Sequence, residues 1–192
     1  EKMSEQISIG LPDGSTRLLD PGATAGDLAA SIGRGLAKAA VIAEINGEER
    51  DLATPLTDGD TVAIITADSE RGRYTIRHST AHVLAQAVLE LFPGATFAIG
   101  PPIENGFYYD FELADGGTFT PEDLERLEAK MREIIKERQP FLRDEIPDAQ
   151  ALELFADHKY KCEIIRGAAD DPTSATESGL VRTYENPPRF ID

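Results

Sequence analysis

The sequence predicts an α+β protein built of two units. Three observations carry that reading. Residues 6–67 run strand, strand, helix, strand, strand with a turn signal at each joint. A helical stretch over 77–92 is followed by an aromatic, alternating segment. A capped amphipathic helix then opens at Thr120. The expected division is 1–67 and 68–192, the first unit a mixed sheet wrapped on one helix, the second a central helix packed on an antiparallel sheet.

In the first unit, "QISIGLPDGSTRLL" alternates Ile7, Ile9 and Leu11 ahead of Pro12-Asp13-Gly14-Ser15, a hairpin signal. In "GATAGDLAASI", Thr24 or Asp27 can cap a short helix carrying Leu28 and Ile32. "AVIAEINGEERDL" turns at Asn46-Gly47, the pair best suited to a two-residue type I′ turn. Val62, Ile64 and Ile65 form the closing strand. A core of about 60 residues is marginal and gains from a larger neighbour.

Asp68 to Arg73 reads as a polar linker. The helix over 77–92 carries Val83, Leu84, Val88, Leu89 and Leu91 on most of its turns, so it is central and largely buried, and Pro93-Gly94 stops it. "TFAIGPPIENGFYYDFEL" reads as two strands turned at Glu104-Asn105-Gly106, with Phe107, Tyr109 and Phe111 sharing one face. From Thr120, a cap, a proline at the first helical position and Asp123 three residues on mark a helix start. Leu124, Leu127, Met131, Ile134 and Ile135 give that helix its apolar stripe, with Glu122/Arg126 and Glu128/Arg132 as four-apart pairs. A strand "FLRDEI" and a helix "DAQALELFAD" follow. "YKCEIIRG" and "GLVRTYENPPRFID" read as strands separated by a loop over 167–178.

Composition narrows the function. Thirty-five acids against nineteen bases leave a net charge of −16, which works against strong non-specific nucleic-acid binding, so any RNA contact is local, specific or assisted by a part outside this chain. One cysteine, Cys162, precludes an internal disulfide and points to a reducing compartment. No run approaches the roughly 20 apolar residues of a membrane span, and the start does not resemble a signal peptide. The expectation is a soluble, cytoplasmic protein without a membrane partner.

The chemistry concentrates in "RHSTAHVLAQAV". His78 and His82 stand four apart, so both imidazoles lie on one helix face, flanked by Ala81 and Ala85, which are small enough to leave room for a ligand. Three readings stay open on these residues. A metal site needs a third and usually a fourth ligand, for which His158, Cys162 and several carboxylates are the candidates. Metal-free acid–base chemistry suits groups titrating near neutral pH. A purely structural pair would need a partner for each ring. A metalloprotease is excluded, because Ser79 stands where the glutamate of that motif belongs. "AIGPPIENGFYYD" could wall a pocket: Gly100 permits close approach of a ligand, and Tyr108 or Tyr109 offers a stacking face and a hydroxyl.

Taken together, "HSTAHVLAQAVLELFP", "AIGPPIENGFYYDFE" and the capped helix from Thr120 closely resemble the editing domain of bacterial threonyl-tRNA synthetase. The first 67 residues resemble the TGS domain that precedes it, a ubiquitin-like β-grasp fold. The resemblance covers nearly the whole chain in the right order, and two motifs in sequence are specific where an isolated HxxxH is not.

It implies an enzyme that joins threonine to tRNA(Thr) using ATP, with an editing domain that hydrolyses serine wrongly attached to that tRNA. It implies His78, His82, Lys161 and Asp192 as catalytic residues. Gly100 and Tyr109 would line the pocket for the terminal adenosine and the seryl group. No metal is implied in this chain; ATP, magnesium and a zinc belong to the catalytic core, through which family members dimerise, so that this piece alone would be a monomer. The family's "CRGPH" segment would begin just beyond Asp192, which reads the chain as an N-terminal portion with an incomplete editing pocket. Two alternatives are a TGS-containing RNA-binding or regulatory module and a freestanding deacylase acting in trans.

Overall fold

The computed structural model describes residues 6–98, 100–170, 180–186 and 190–191. It separates into two compact units, 1–77 and 78–192.

In the first unit, β1 (Ile7–Gly10) and β2 (Thr16–Leu19) form the expected hairpin. The turn is set by Asp13, whose carboxylate accepts from the backbone N–H and the hydroxyl of Ser15. Thr24 caps α1 (Ala25–Ile32) and Asp27 reaches back to the Thr24 N–H, so both residues expected to compete for the cap serve in one capping box. A short helix α2 (Arg34–Ala39), which the sequence reading left out, follows Gly33. Strand β3 (Ala40–Ile45) then pairs on one edge with β4 (Glu48–Arg50) and on the other with β5 (Val62–Thr66), both antiparallel. Asn46 and Gly47 both have positive φ, 53° and 88°, as the type I′ turn requires. A parallel bridge from Gly10 to Thr61 makes the arrangement mixed. Ile9, Leu28, Ala43 and Val62 are fully enclosed at its centre.

Helix α3 runs Glu70–Leu91, two turns longer than the sequence reading. The expected linker is largely its first turns. Arg71 holds Glu44 at 2.7 Å and Glu49 at 2.8 Å. Gly72 packs so tightly that a Cβ there would lie 1.9 Å from the Thr66 carbonyl oxygen. A charged hexapeptide looks like a linker; here its charges are spent on ion pairs and its glycine on a backbone contact.

The second unit is built around the remainder of α3, which contributes Val83, Ala87 and Val88 to a core with Ala95, Leu113, Leu127 and Ile134. The expected two-stranded segment is two short ladders instead. β6 (Thr96–Phe97) pairs with β9 (Phe111–Glu112), and within that loop β7 (Pro102–Ile103) pairs with β8 (Gly106–Phe107) around a Glu104-Asn105 turn. Helix α4 (Pro121–Glu137) has the predicted capping box of Thr120 and Asp123. Its buried stripe is narrower than read: Leu127 and Ile134 are enclosed, but Leu124 and Ile135 are 58% and 59% exposed. Arg126 pairs with Asp123 rather than Glu122, because the cap carboxylate is already fixed one turn earlier. Arg132 does pair with Glu128.

Strand β10 (Leu142–Pro147) and helix α5 (Asp148–Leu154) follow as expected. "YKCEIIRG" is not a strand but part of helix α6 (Lys159–Asp170). A short apolar run of this kind fits a strand as well as a helix. The burial of Cys162 and Ile165, three apart, is the helical period that wins once they meet Phe155 and Ala151. Strands β11 (Leu180–Asn186) and β12 (Phe190–Ile191) close an antiparallel β10–β11–β12 sheet. No helix among the described residues is long and apolar enough to cross a membrane.

Two glycines in helices test these assignments in opposite directions. Gly72→Ala should lower stability by about 1–3 kcal/mol through overpacking. Gly35→Ala, with open space at its Cβ, should raise it by about 0.5 kcal/mol. Urea unfolding of both variants distinguishes them; equal effects would contradict the packing described for Gly72.

Candidate functional site

On α3 the two histidine rings lie 4.8 Å apart between centroids, so the four-residue spacing does bring them together on one face. His82 is 5% exposed and lies edge-on to Phe141 at 6.2 Å, while His78 is only partly buried. Ala81 and Ala85 are fully enclosed. At Ala85 the room left by the small side chain is taken by Phe97, so that alanine admits a wall of the site rather than a ligand.

Phe97, on β6, gathers the other candidates. It is 1% exposed, packs on Ala85, and meets the ring of Tyr109 at 5.9 Å in a T-shaped contact. His158 lies edge-on to it at 5.5 Å. The Lys161 ammonium sits 4.8 Å from its centroid, a cation–π distance that keeps the charge beside the aromatic wall. Tyr109 stacks on Phe111 at 4.9 Å, as their shared strand face predicts, whereas Tyr108 points outward. Of the two tyrosines offered by the sequence, the structure turns Tyr109 inward.

Gly100 meets the same cluster. A Cβ on it would fall 2.1 Å from the Tyr109 ring. The close approach made there in this structure is that of the Tyr109 ring. Gly100 and Tyr109 are thus one packing unit, and the ring is held from three sides by Gly100, Phe97 and Phe111.

Lys161 is positioned by the N-terminal end of α6. Tyr160 donates its hydroxyl to Glu112 Oε2 at 2.6 Å, and Lys159 approaches the same oxygen at 3.5 Å, tying α6 to β9. The Tyr160 hydrogen bond, then the Lys159 charge, hold the Glu112 carboxyl below its ordinary range. Cys162, a candidate metal ligand on sequence grounds, donates its thiol to the Phe155 carbonyl at 3.1 Å within a buried cluster. Among the described residues no three His, Cys, Asp or Glu side chains converge as a metal site would require. Asp192 lies outside the described residues.

Sequence reasoning did not single out Phe97, Glu112 or Tyr160. Phe97 carries no local signal separating it from any core phenylalanine. The Glu112–Tyr160 bond joins residues 48 apart.

Residues 7–66 match the TGS domain family, a ubiquitin-like β-grasp, which accounts for the first unit. The chain as a whole is similar to the N-terminal region of threonine–tRNA ligases. It is 49% identical over 175 residues to that of Pelobacter propionicus, 90% of this chain and 27% of the relative. It is 50% identical over 176 residues to that of Citrifermentans bemidjiense, 91% and 27%. With that of Thermobifida fusca the identity is 48% over 179 residues, 90% and 26%. The chain therefore spans about a quarter of the length of the curated relatives it matches.

Gly100→Ala should push Tyr109 off the Phe97–Phe111 wall and cost about 1–3 kcal/mol, visible as lost near-ultraviolet dichroism and an earlier urea midpoint. The Glu112 tie has a defined pH signature. Because its carboxyl is lowered from 4.5, its contribution is present above that value and is lost as pH falls through the lowered one. The stability difference between the wild type and Glu112→Gln should be constant near neutrality and shrink as the pH falls below 4.5. A difference that does not depend on pH would contradict the tie.

Proposed function

We propose that the second unit is a hydrolytic editing site that removes serine from mischarged tRNA(Thr), within a protein that joins threonine to the same tRNA. The observation that carries it is the cluster on α3 and β6: two histidines on one helix face, with Lys161 and Tyr109 gathered around Phe97, which packs on Ala85 of the same helix. Similarity to threonine–tRNA ligases over nine-tenths of the chain supports the assignment of tRNA as the substrate class.

The need for such a site is physical. Serine keeps the hydroxyl by which threonine is read and lacks only a methyl, a difference worth about 1–3 kcal/mol, so a second, hydrolytic sieve is required for accuracy. Ester hydrolysis needs a positioned water, a base near neutral pH, and positive charge where the ester oxygen becomes negative. His78 and His82 serve as the groups that orient or deprotonate the water or hold the terminal ribose. Lys161 favours the developing oxyanion. Tyr109 and Gly100 shape the wall against which the adenosine and seryl group rest. Asp192 takes the seryl ammonium. ATP, magnesium and zinc belong to the ligation step, in the part of such a protein that this chain does not span, and dimerisation is assigned to that part too. The protein acts in the cytoplasm.

The test is hydrolysis of Ser-tRNA(Thr) by a full-length ligase carrying this chain. His82→Ala and Lys161→Ala should each slow it by about 10²- to 10⁴-fold. A rate equal to wild type in either variant overturns that residue's assignment. Equal rates in both favour a TGS-containing RNA-binding module instead.

A further inference from the structure

Helix α4 ends on an arginine in a conformation that arginine seldom adopts. Arg138 closes the helix with φ 52° and ψ 43°, in the left-handed region, and its N–H bonds to the Ile135 carbonyl. Glycine, or failing that asparagine, is the ordinary occupant of such a position, because a Cβ there crowds the backbone. The Arg138 side chain is exposed, so burial does not offset the strain. A cation at a helix C-terminus favours the dipole, but Lys136 in the last turn already supplies one.

The local charge is also out of keeping with the chain. Between 130 and 138 stand Lys130, Arg132, Lys136 and Arg138 against Glu133 and Glu137, whereas the whole chain has thirty-five acids and nineteen bases. Two of the four cations are committed: Lys130 to Glu90 at 3.5 Å and Glu133 at 2.9 Å, and Arg132 to Glu128. Lys136 and Arg138 are exposed and enter no ion pair among the described residues. Glu137, between them, accepts from the Gln139 amide at 2.7 Å. This end of α4 leads to the histidine face, because Phe141 lies edge-on to His82 at 6.2 Å. The three residues from Arg138 to Phe141 span at most about 11 Å, so the two cations lie within a few nucleotides' length of that ring.

We propose that Lys136 and Arg138 form a phosphate-binding patch for a single RNA strand, seating the nucleotides that precede the one at the histidines. A phosphodiester carries a full negative charge, which a guanidinium meets with two N–H groups and an ammonium meets as a point charge. Arginine is kept at 138, where glycine would make the less strained cap, because glycine offers nothing to a phosphate. The patch gives a strongly acidic chain a local place to meet RNA. The inference rests on the reading that a tRNA end enters at the histidine face, and deepens it by naming the segment that holds the strand.

The test is amide-shift NMR of the nitrogen-labelled chain, titrated at several salt concentrations with a short 5′-phosphorylated single-stranded RNA of the tRNA 3′-terminal sequence. Wild-type amides over 136–141 should shift, with an association constant that falls as salt rises. Arg138→Gly should bind about three- to tenfold more weakly, with a salt slope shallower by about 0.7. It should nevertheless unfold at a urea concentration no lower than wild type, since the strained cap is relieved. Arg138→Lys should recover most of the binding, because the charge remains. Wild-type affinity and slope in Arg138→Gly overturn the proposal, as do wild-type 136–141 amides that ignore the RNA. Shifts there with poly-glutamate but not with RNA overturn it in favour of an acidic protein partner. Should Arg138→Gly fail to give a dispersed spectrum, Lys136→Gln decides by the same change in slope. Failure of the editing reading is a separate result, wild-type Ser-tRNA hydrolysis in His82→Ala, and the binding measurement does not depend on it.

Discussion

The contact on which the second unit's arrangement depends is that of Phe97 with the small-residue face of α3. A phenylalanine buried to this degree brings a large apolar area out of water, and Ala85 is the position at which the helix is thin enough to receive it. Once the ring is seated, three other side chains take their places from it. Tyr109 meets it at one edge, His158 at another, and the Lys161 ammonium lies beside its face. Without that seat, α6 and the segment carrying Tyr109 would have no common reference to α3.

Lys161, one of nineteen basic residues against thirty-five acids, lies beside the Phe97 face, and at the start of α6 Glu112 takes Tyr160 and Lys159.

Most of the first unit was legible from local signals. Asn46-Gly47 dictates its turn, and Thr24 with Asp27 dictates a helix start, because both are short-range hydrogen-bonding problems with few solutions. Legibility failed where the deciding partner was distant. Gly72 looked like a linker residue because the Thr66 carbonyl it packs on is not a sequence signal. "YKCEIIRG" reads as a strand in isolation because a short apolar run fits both periods until its tertiary partners are known. At the site, the histidine spacing was readable, as was the pairing of Tyr109 with Phe111. What could not be read was that Gly100 packs against the Tyr109 ring, or that Phe97 gathers Tyr109, His158 and Lys161, since both facts belong to packing between separate segments.

The account's central claim is that the α3 histidine face and the Phe97 wall together receive a seryl ester. The most direct measurement is a crystal structure of a full-length ligase containing this chain with an amide-linked, non-hydrolysable seryl-adenosine analogue. The account predicts the scissile carbonyl within hydrogen-bond or one-water reach of His78 or His82, with the adenosine against Tyr109 and Lys161 on the carbonyl side. Seryl density seated away from these four residues would contradict it.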